Sequence, residues 1–321
     1  MIVDPADGDR VAAIRERLAD VACARMHPQL QRWTAAAGRR AHVLEDIDAA
    51  LLRCADRAIA RRVADRFAGP DAPTDAYLGR LLVVDGAHAL TGIRFKGLRP
   101  DDPFVELVAA DIGPADPAFP DLLAAIRRAW APLRPRALRL WLASHESTPD
   151  LRLEGDMRTL VAPIAELQAL PPPPHRHALT LRRCADLEFY PRFRAAYDAY
   201  LQAHPALAAG MYLSSEADLA PVVAEGHTYE AWSGDRWAGL VAAASTRYCG
   251  QGGWLVHEEL LAAEFRGRGL APGLQRGLVD RLDPADGALL VGTIHADNHP
   301  SLATARRVGR LDVGGHVFVT A

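Results

Sequence analysis

Four consecutive prolines, Pro171 to Pro174, constrain this chain more than any other feature. Each fixes φ and removes a backbone donor, so the run cannot be helical and favours an extended spacer. The chain has 321 residues, enough for two domains of about 100–200 residues each. The run therefore predicts domains at 1–170 and 177–321, with a proline linker at 171–176. The alternative is a long surface loop inside one domain.

The two sides of the prolines repeat one order of elements. Residues 10–68 read as helices, with Val11, Ile14, Leu18 and Val21 three and four apart, until Gly69-Pro70 and Pro73 stop them. Strand-like text follows from Tyr77 to Val84 and from His88 to Phe95, around the turn dipeptide Asp85-Gly86. A third strand is predicted at Phe104–Ile112, a helix at Phe119–Leu133, a strand at Ala137–Ala143 and another at Arg158–Ile164.

Beyond the prolines the text reads as a strand at Ala178–Arg182, then helices at Leu187–Ala203 and Ser215–Ala224. Strands follow at Thr228–Trp232, Trp237–Arg247 and Trp254–Ala262. Then come a helix at Ala271–Leu282, a strand at Ala288–His295, a helix at Ser301–Val308 and a strand at Gly314–Val319. Each half thus holds a hairpin, a third strand, a helix and a fourth strand. That is an α/β (α+β) pattern, and it predicts an internal duplication.

Composition narrows the class. Apolar residues make up 50% and charged residues 24%, which excludes a mainly disordered chain. Lys plus Arg is 37 against 40 Asp plus Glu, so nothing marks a nonspecific nucleic-acid binder. Lys96 is the only lysine, which reads as the codon bias of a GC-rich, bacterial genome. Cys23, Cys54, Cys184 and Cys249 lie far apart without CxxC spacing, as expected of reduced thiols. An acidic N-terminus and the lack of an apolar run of about 18 residues predict a soluble, cytoplasmic protein without a membrane segment.

The segment Glu258 to Ala271 carries the chemistry. A strand enters a turn bearing Gly267 and Gly269, and a helix leaves it. The first amides of a helix lack partners and carry partial positive charge. Glycines let a ligand approach them, so the junction can cradle a phosphate. Arg266 and Arg268 add charge. The alternative is a tight turn with exposed arginines. No G-x-x-x-x-G-K-[ST] is present, and Pro272 stands where a dinucleotide fingerprint needs its third glycine.

Arg266-Gly267-Arg268-Gly269-Leu270-Ala271 resembles the R/Q-x-x-G-x-G/A signature of the GNAT superfamily, the acyl-CoA-dependent N-acyltransferases. Asn298-His299-Pro300-Ser301, opening a helix that ends at Gly309, is similar to the family's second motif. The resemblance covers residues 177–321 in element order, with specific motifs from 254 to 310. It implies two tandem GNAT-like domains, each a mixed, mostly antiparallel sheet flanked by helices. It also implies that the amides of Gly267, Arg268, Gly269, Leu270 and Ala271 hold the pyrophosphate of acetyl-CoA, flanked by Arg266 and Arg268. The backbone of Glu259, Leu260 and Leu261 would pair with the pantetheine arm as an added strand does. Asn298 and Ser301 would sit near the arm or the thiol; Asn298 could also be an N-cap.

Acyl transfer to an amine needs a base, a donor to the carbonyl and a proton for the leaving thiolate. His257, Glu258 and Glu259 are the candidates. Alternation puts His257 and Glu259 on one strand face and Glu258 on the other. His257 or Glu259 is the preferred base or amine binder; the alternative is a polar cluster on a strand edge. Some relatives carry a Glu at the position of His257, others a base at that of Leu255. Many place a Tyr where this chain has Ala305, and a Phe where it has Arg310. Either Tyr248 or Ser301 replaces the Tyr, or the thiolate leaves unaided, or the domain binds without efficient turnover. H-E-x-x-H fails at Leu261, so no metal is expected.

In the first half the matching turn is Gly113-Pro114-Ala115-Asp116-Pro117-Ala118, with two prolines lacking amides. No CoA is expected there. The half reads as a degenerate copy of the fold or as an unrelated α/β domain. The resulting expectation is direct transfer of a short acyl group from acyl-CoA to a small-molecule primary amine in a ternary complex, by a monomer or homodimer. A non-catalytic CoA-binding sensor and an aminoacyl-tRNA-dependent transferase are the alternatives.

Overall fold

The first hairpin closes at Asp85-Gly86, where φ is 48° and 88°, the left-handed pair that a tight two-residue turn requires. In the computed structural model, which describes residues 1–4, 7–68, 72–148, 151–208, 211 and 213–320, the chain divides into two units. One is Met1–Asp156 with Gly314–Ala321, the other Met157–Val313.

The first unit opens with helices α1 (Gly8–Ala24), α2 (Pro28–Trp33), α3 (Ala36–Ala55) and α4 (Arg57–Phe67). The stop expected at Gly69-Pro70 lies outside the described residues. Strands β1 (Arg80–Val84), β2 (Ala87–Phe95) and β3 (Pro103–Ala110) pair antiparallel in order. Helix α5 (Phe119–Trp130) then returns the chain so that β4 (Ala137–Ala143) pairs parallel to β3. Strand alternation divides the core. Leu81, Leu90 and Ala109 meet Ile14, Leu18 and Ile47 of α1 and α3. Leu82, Ala89 and Ala110 meet Phe119, Leu122, Ile126 and Trp130 of α5.

The second unit takes Met157–Pro163 from β5 (Leu153–Pro163), followed by α6 (Ile164–Ala169) and β6 (Thr180–Arg183). Helices α7 (Tyr190–Ala203), α8 (Pro205–Ala208) and α9 (Glu216–Glu225) come next; Ser215 and Asp218 form a capping box on α9. Strands β7 (Thr228–Ser233), β8 (Arg236–Tyr248) and β9 (Gln251–Leu261) pair antiparallel. Helix α10 (Ala271–Val279) leads to β10 (Leu289–His295), parallel to β9 and antiparallel to β5. Helix α11 (His299–Val308) and β11 (Leu311–Val319) end the chain. Phe189, Phe193 and Tyr197 of the α7 segment pack with Leu240 and Leu260.

Both units therefore run three antiparallel strands, a helix and a parallel fourth strand, the repeat expected from the text. The units do not divide at the prolines. Residues before the run are held in the second unit: the Gln168 amide donates to the carbonyls of Val279 and Leu282 at 2.9 and 3.0 Å. Arg276 donates to those of Leu170 and Gln168 at 2.7 and 2.8 Å. At the other end, Gly314–Val319 of β11 pairs with β4 in the first unit. Each unit is thus completed by a strand from the other half of the chain, an exchange that spacing along the sequence does not reveal.

Candidate active site

Strand β10 accompanies β9 only through Leu289, Leu290 and Val291, which pair with Gly253, Trp254 and Leu255. From Gly292 to His295 it stays with β5. Val256 to Leu261 of β9 keep β8 on one side and have no β10 partner among the described residues. The divergence opens a cavity of about 350 Å³ lined by Val256 to Glu259, Gly292 to His295, Tyr197, Ser214, Asn298, Ser301 and Arg310.

Beyond the end of β9, Gly267 and Gly269 take φ of 71° and 73°, a conformation that favours glycine. The first amide of α10 bonded to a backbone carbonyl is that of Leu274, to Leu270 at 2.9 Å, and no side chain caps the helix. Gly267, Arg268 and Gly269 are exposed. The turn thus presents backbone amides at a positive helix end. In the first unit the matching turn differs: the Asp116 carboxylate accepts from the Ala118 amide at 2.9 Å, so an anion there would meet a carboxylate.

The two arginines separate. Arg268 is exposed at the turn. Arg266 is drawn inward, its Nε donating to the Leu261 carbonyl at 2.7 Å and its guanidinium lying 4.6 Å from the Tyr200 ring centre. Arg266 thereby ties the turn to the strand end.

A β-bulge redirects the acidic strand. Ala242 faces Glu258 while Ala243 faces Val256, leaving His257 as the extra residue. The expectation that His257 shares a face with Glu259, opposite Glu258, is corrected here, because an unpaired residue breaks the two-residue period. The Ser214 hydroxyl donates to Glu258 Oε1 at 2.5 Å and stands 3.4 Å from His257 Nε2. Glu259 instead receives a hydrogen bond from the Gln275 amide of α10.

Burial sets the protonation of these groups. Loss of water pushes the Glu258 carboxyl, only 9% exposed, up to about 7, against the hydrogen bonds from Ser214. Burial lowers His257 below the ordinary imidazole value, although Asp218 and Glu225 pull upward. Burial also raises Glu259, opposed by Arg310 and Gln275.

Asn298, 6% exposed, both caps α11 and lines the cavity; its Oδ1 accepts from the Ser301 amide at 3.3 Å and the Tyr200 hydroxyl at 3.4 Å. Ser301 lines the cavity and Tyr248 is not among its lining residues. Ala305 is fully buried against Leu160 and Leu302. Ser214 and Tyr197 join the site without a motif to announce them. Arg310 was visible only as a departure from a pattern. Among the described residues no group of three or more His, Cys, Asp or Glu assembles to hold a metal ion, and no helix is long and apolar enough to cross a membrane.

No family model matches the chain, and none of the curated proteins does. Solved structures similar to it include a GCN5-related N-acetyltransferase from Sphaerobacter thermophilus, at 16% identity and TM-score 0.48, covering 83% of this chain and 93% of that one. A tandem GNAT protein from the clavulanic acid biosynthesis pathway is similar at 16% identity and TM-score 0.45, over 100% and 97%. A GNAT-family acetyltransferase from Colwellia psychrerythraea gives 11% and 0.45, over 80% and 89%. At such scores the functional reading depends on the geometry of this chain.

Proposed function

We propose that the second unit is an acyl-CoA-dependent N-acyltransferase that moves a short acyl group, most simply acetyl, to the primary amine of a small molecule. The observation that carries this reading is the parting of β10 from β9 beside a helix whose first amides open into the Gly267–Gly269 turn. Such a turn suits a pyrophosphate, with Arg268 at its rim. The unpaired edge of β9 from Val256 to Leu261 suits an extended amide-bearing arm. The cavity at the divergence then receives the thioester and the amine.

Transfer forms a C–N bond to the acyl carbon and breaks the C–S bond. The amine attacks as the free base, and its surplus proton must leave. Glu258 is the best-suited acceptor, since a carboxyl titrating near neutrality combines availability with driving force. His257, held neutral and linked to Glu258 through Ser214, can orient the amine. The Ser301 and Tyr197 hydroxyls line the same cavity and are among the donors available to the departing sulfur. Ala305, buried and without a hydroxyl, favours a second reading, in which the site binds CoA without turning it over.

Thiol release from acetyl-CoA across a panel of primary amines tests the proposal. Amine-dependent release that falls at least tenfold in Glu258→Gln is expected, general-base contributions being about 10²–10⁴-fold. Binding of CoA with no release on any amine would reject catalysis and leave the binding reading.

A further inference from the structure

Arg310 follows the left-handed Gly309 that ends α11, where φ is 107°. It is 3% exposed, yet lines the cavity. Its Nε and Nη1 are buried and meet no hydrogen-bond acceptor among the described residues. Arg is the side chain least able to shed its charge, and a buried cation without a partner is costly. Glu259 is the carboxylate whose charge it feels, but no ion pair joins the two, and Glu259 is already hydrogen-bonded to Gln275.

The guanidinium reaches this place because β10 carries Gly292, the first residue past the last β9–β10 pair. A Cβ on Gly292 would overlap Arg310 Nη1. The cleft therefore holds a fixed cation at the point where the strands part, in the wall of a space of about 350 Å³. Guanidinium donors match a carboxylate in geometry as well as charge.

We propose that Arg310 recognises a carboxylate on the substrate bound in this cavity. The proposal rests on the acyltransferase reading for what that substrate is, and it narrows the substrate class. The carboxylate belongs either to a dicarboxylic acyl group, as in succinyl-CoA, or to an amino-acid acceptor.

Calorimetric titrations separate these sources. Acetyl-CoA is compared with succinyl-CoA, and in CoA-saturated protein a mixture of the common amino acids is compared with their α-amides by equilibrium dialysis. Free succinate is titrated without CoA. Each is repeated on Arg310→Met and on Gly292→Ala, which keeps the arginine but displaces its flexible end. A charge-assisted hydrogen bond predicts that wild type prefers one carboxylate-bearing probe by about tenfold or more. Both variants should bring that ratio close to one. Preference for succinyl-CoA assigns the acyl side, and preference for the amino acids assigns the acceptor side. No preference in wild type, or one that survives in both folded variants, overturns the proposal. Failure of wild type to bind any CoA ester would reject the acyltransferase reading, while the succinate titration, which needs no CoA, would still judge Arg310.

Discussion

Glu258→Gln probes the electrostatics of the cavity without needing a substrate. Burial moves the Glu258 carboxyl from its ordinary 4.5 to about 7. A difference of one in pKa is about 1.36 kcal/mol, so ionising this carboxyl costs the fold about 3 kcal/mol once pH exceeds 7. The folded value lies above the unfolded one, so the native state holds its proton longer. Wild type keeps this stability in full below about pH 4.5 and loses it as pH rises to about 7. Glutamine cannot ionise, and its Oε1 still accepts the Ser214 hydroxyl. The variant should match wild type near pH 4 and exceed it by about 3 kcal/mol at pH 8. Urea unfolding at a series of pH values, with m unchanged, measures this difference. A stability difference that stays flat from pH 4 to 8 would refute the claim that Glu258 is a buried acid titrating near neutrality.

Two further outcomes follow from the same site. Ser214→Ala removes a hydrogen bond that holds the carboxylate down. Glu258 should then titrate higher by about one in pKa, as carbon-13 NMR of labelled glutamate would read. Ala305→Tyr introduces the residue many GNAT proteins carry at the resembling position but forces a phenol between Leu160 and Leu302. It should lower stability by about 1–3 kcal/mol in urea unfolding and give no gain in thiol release.

Much of this architecture is legible in the sequence. Asp85-Gly86 marked a hairpin because few residues accept a left-handed turn, and Val11, Ile14, Leu18 and Val21 kept a helical period that puts Ile14 and Leu18 in the core. Those signals are local. The strand exchange was not legible, because Met157–Pro163 and Gly314–Val319 read as strands whichever unit they join. Four prolines looked like a boundary, yet Gln168 and Arg276 fasten the preceding helix into the second unit. In the site, Gly267 and Gly269 announced the turn. The bulge at His257 depends on the neighbouring strand, so the period of two misassigned its face. Ser214 lies in a loop without a pattern, and only its distances to Glu258 and His257 disclose it. Arg310 stood out as a departure from a familiar motif, but its orphaned donors needed the fold around Gly292 to be seen.

The central claim is that the Gly267–Ala271 turn holds the pyrophosphate of an acyl-CoA. A Cβ on Gly267 would meet nothing within 4 Å, so a small side chain has room there. Asn and Asp are the residues that best tolerate its left-handed backbone after glycine. Being nearly isosteric, they strain the turn alike, and only Asp adds negative charge. Calorimetric titration with acetyl-CoA should give about one site per chain for wild type and Gly267→Asn. Binding to Gly267→Asp should be weaker by about tenfold or more, some 1.4 kcal/mol. No binding to folded wild type, or equal affinities for the Asn and Asp variants, would contradict the account.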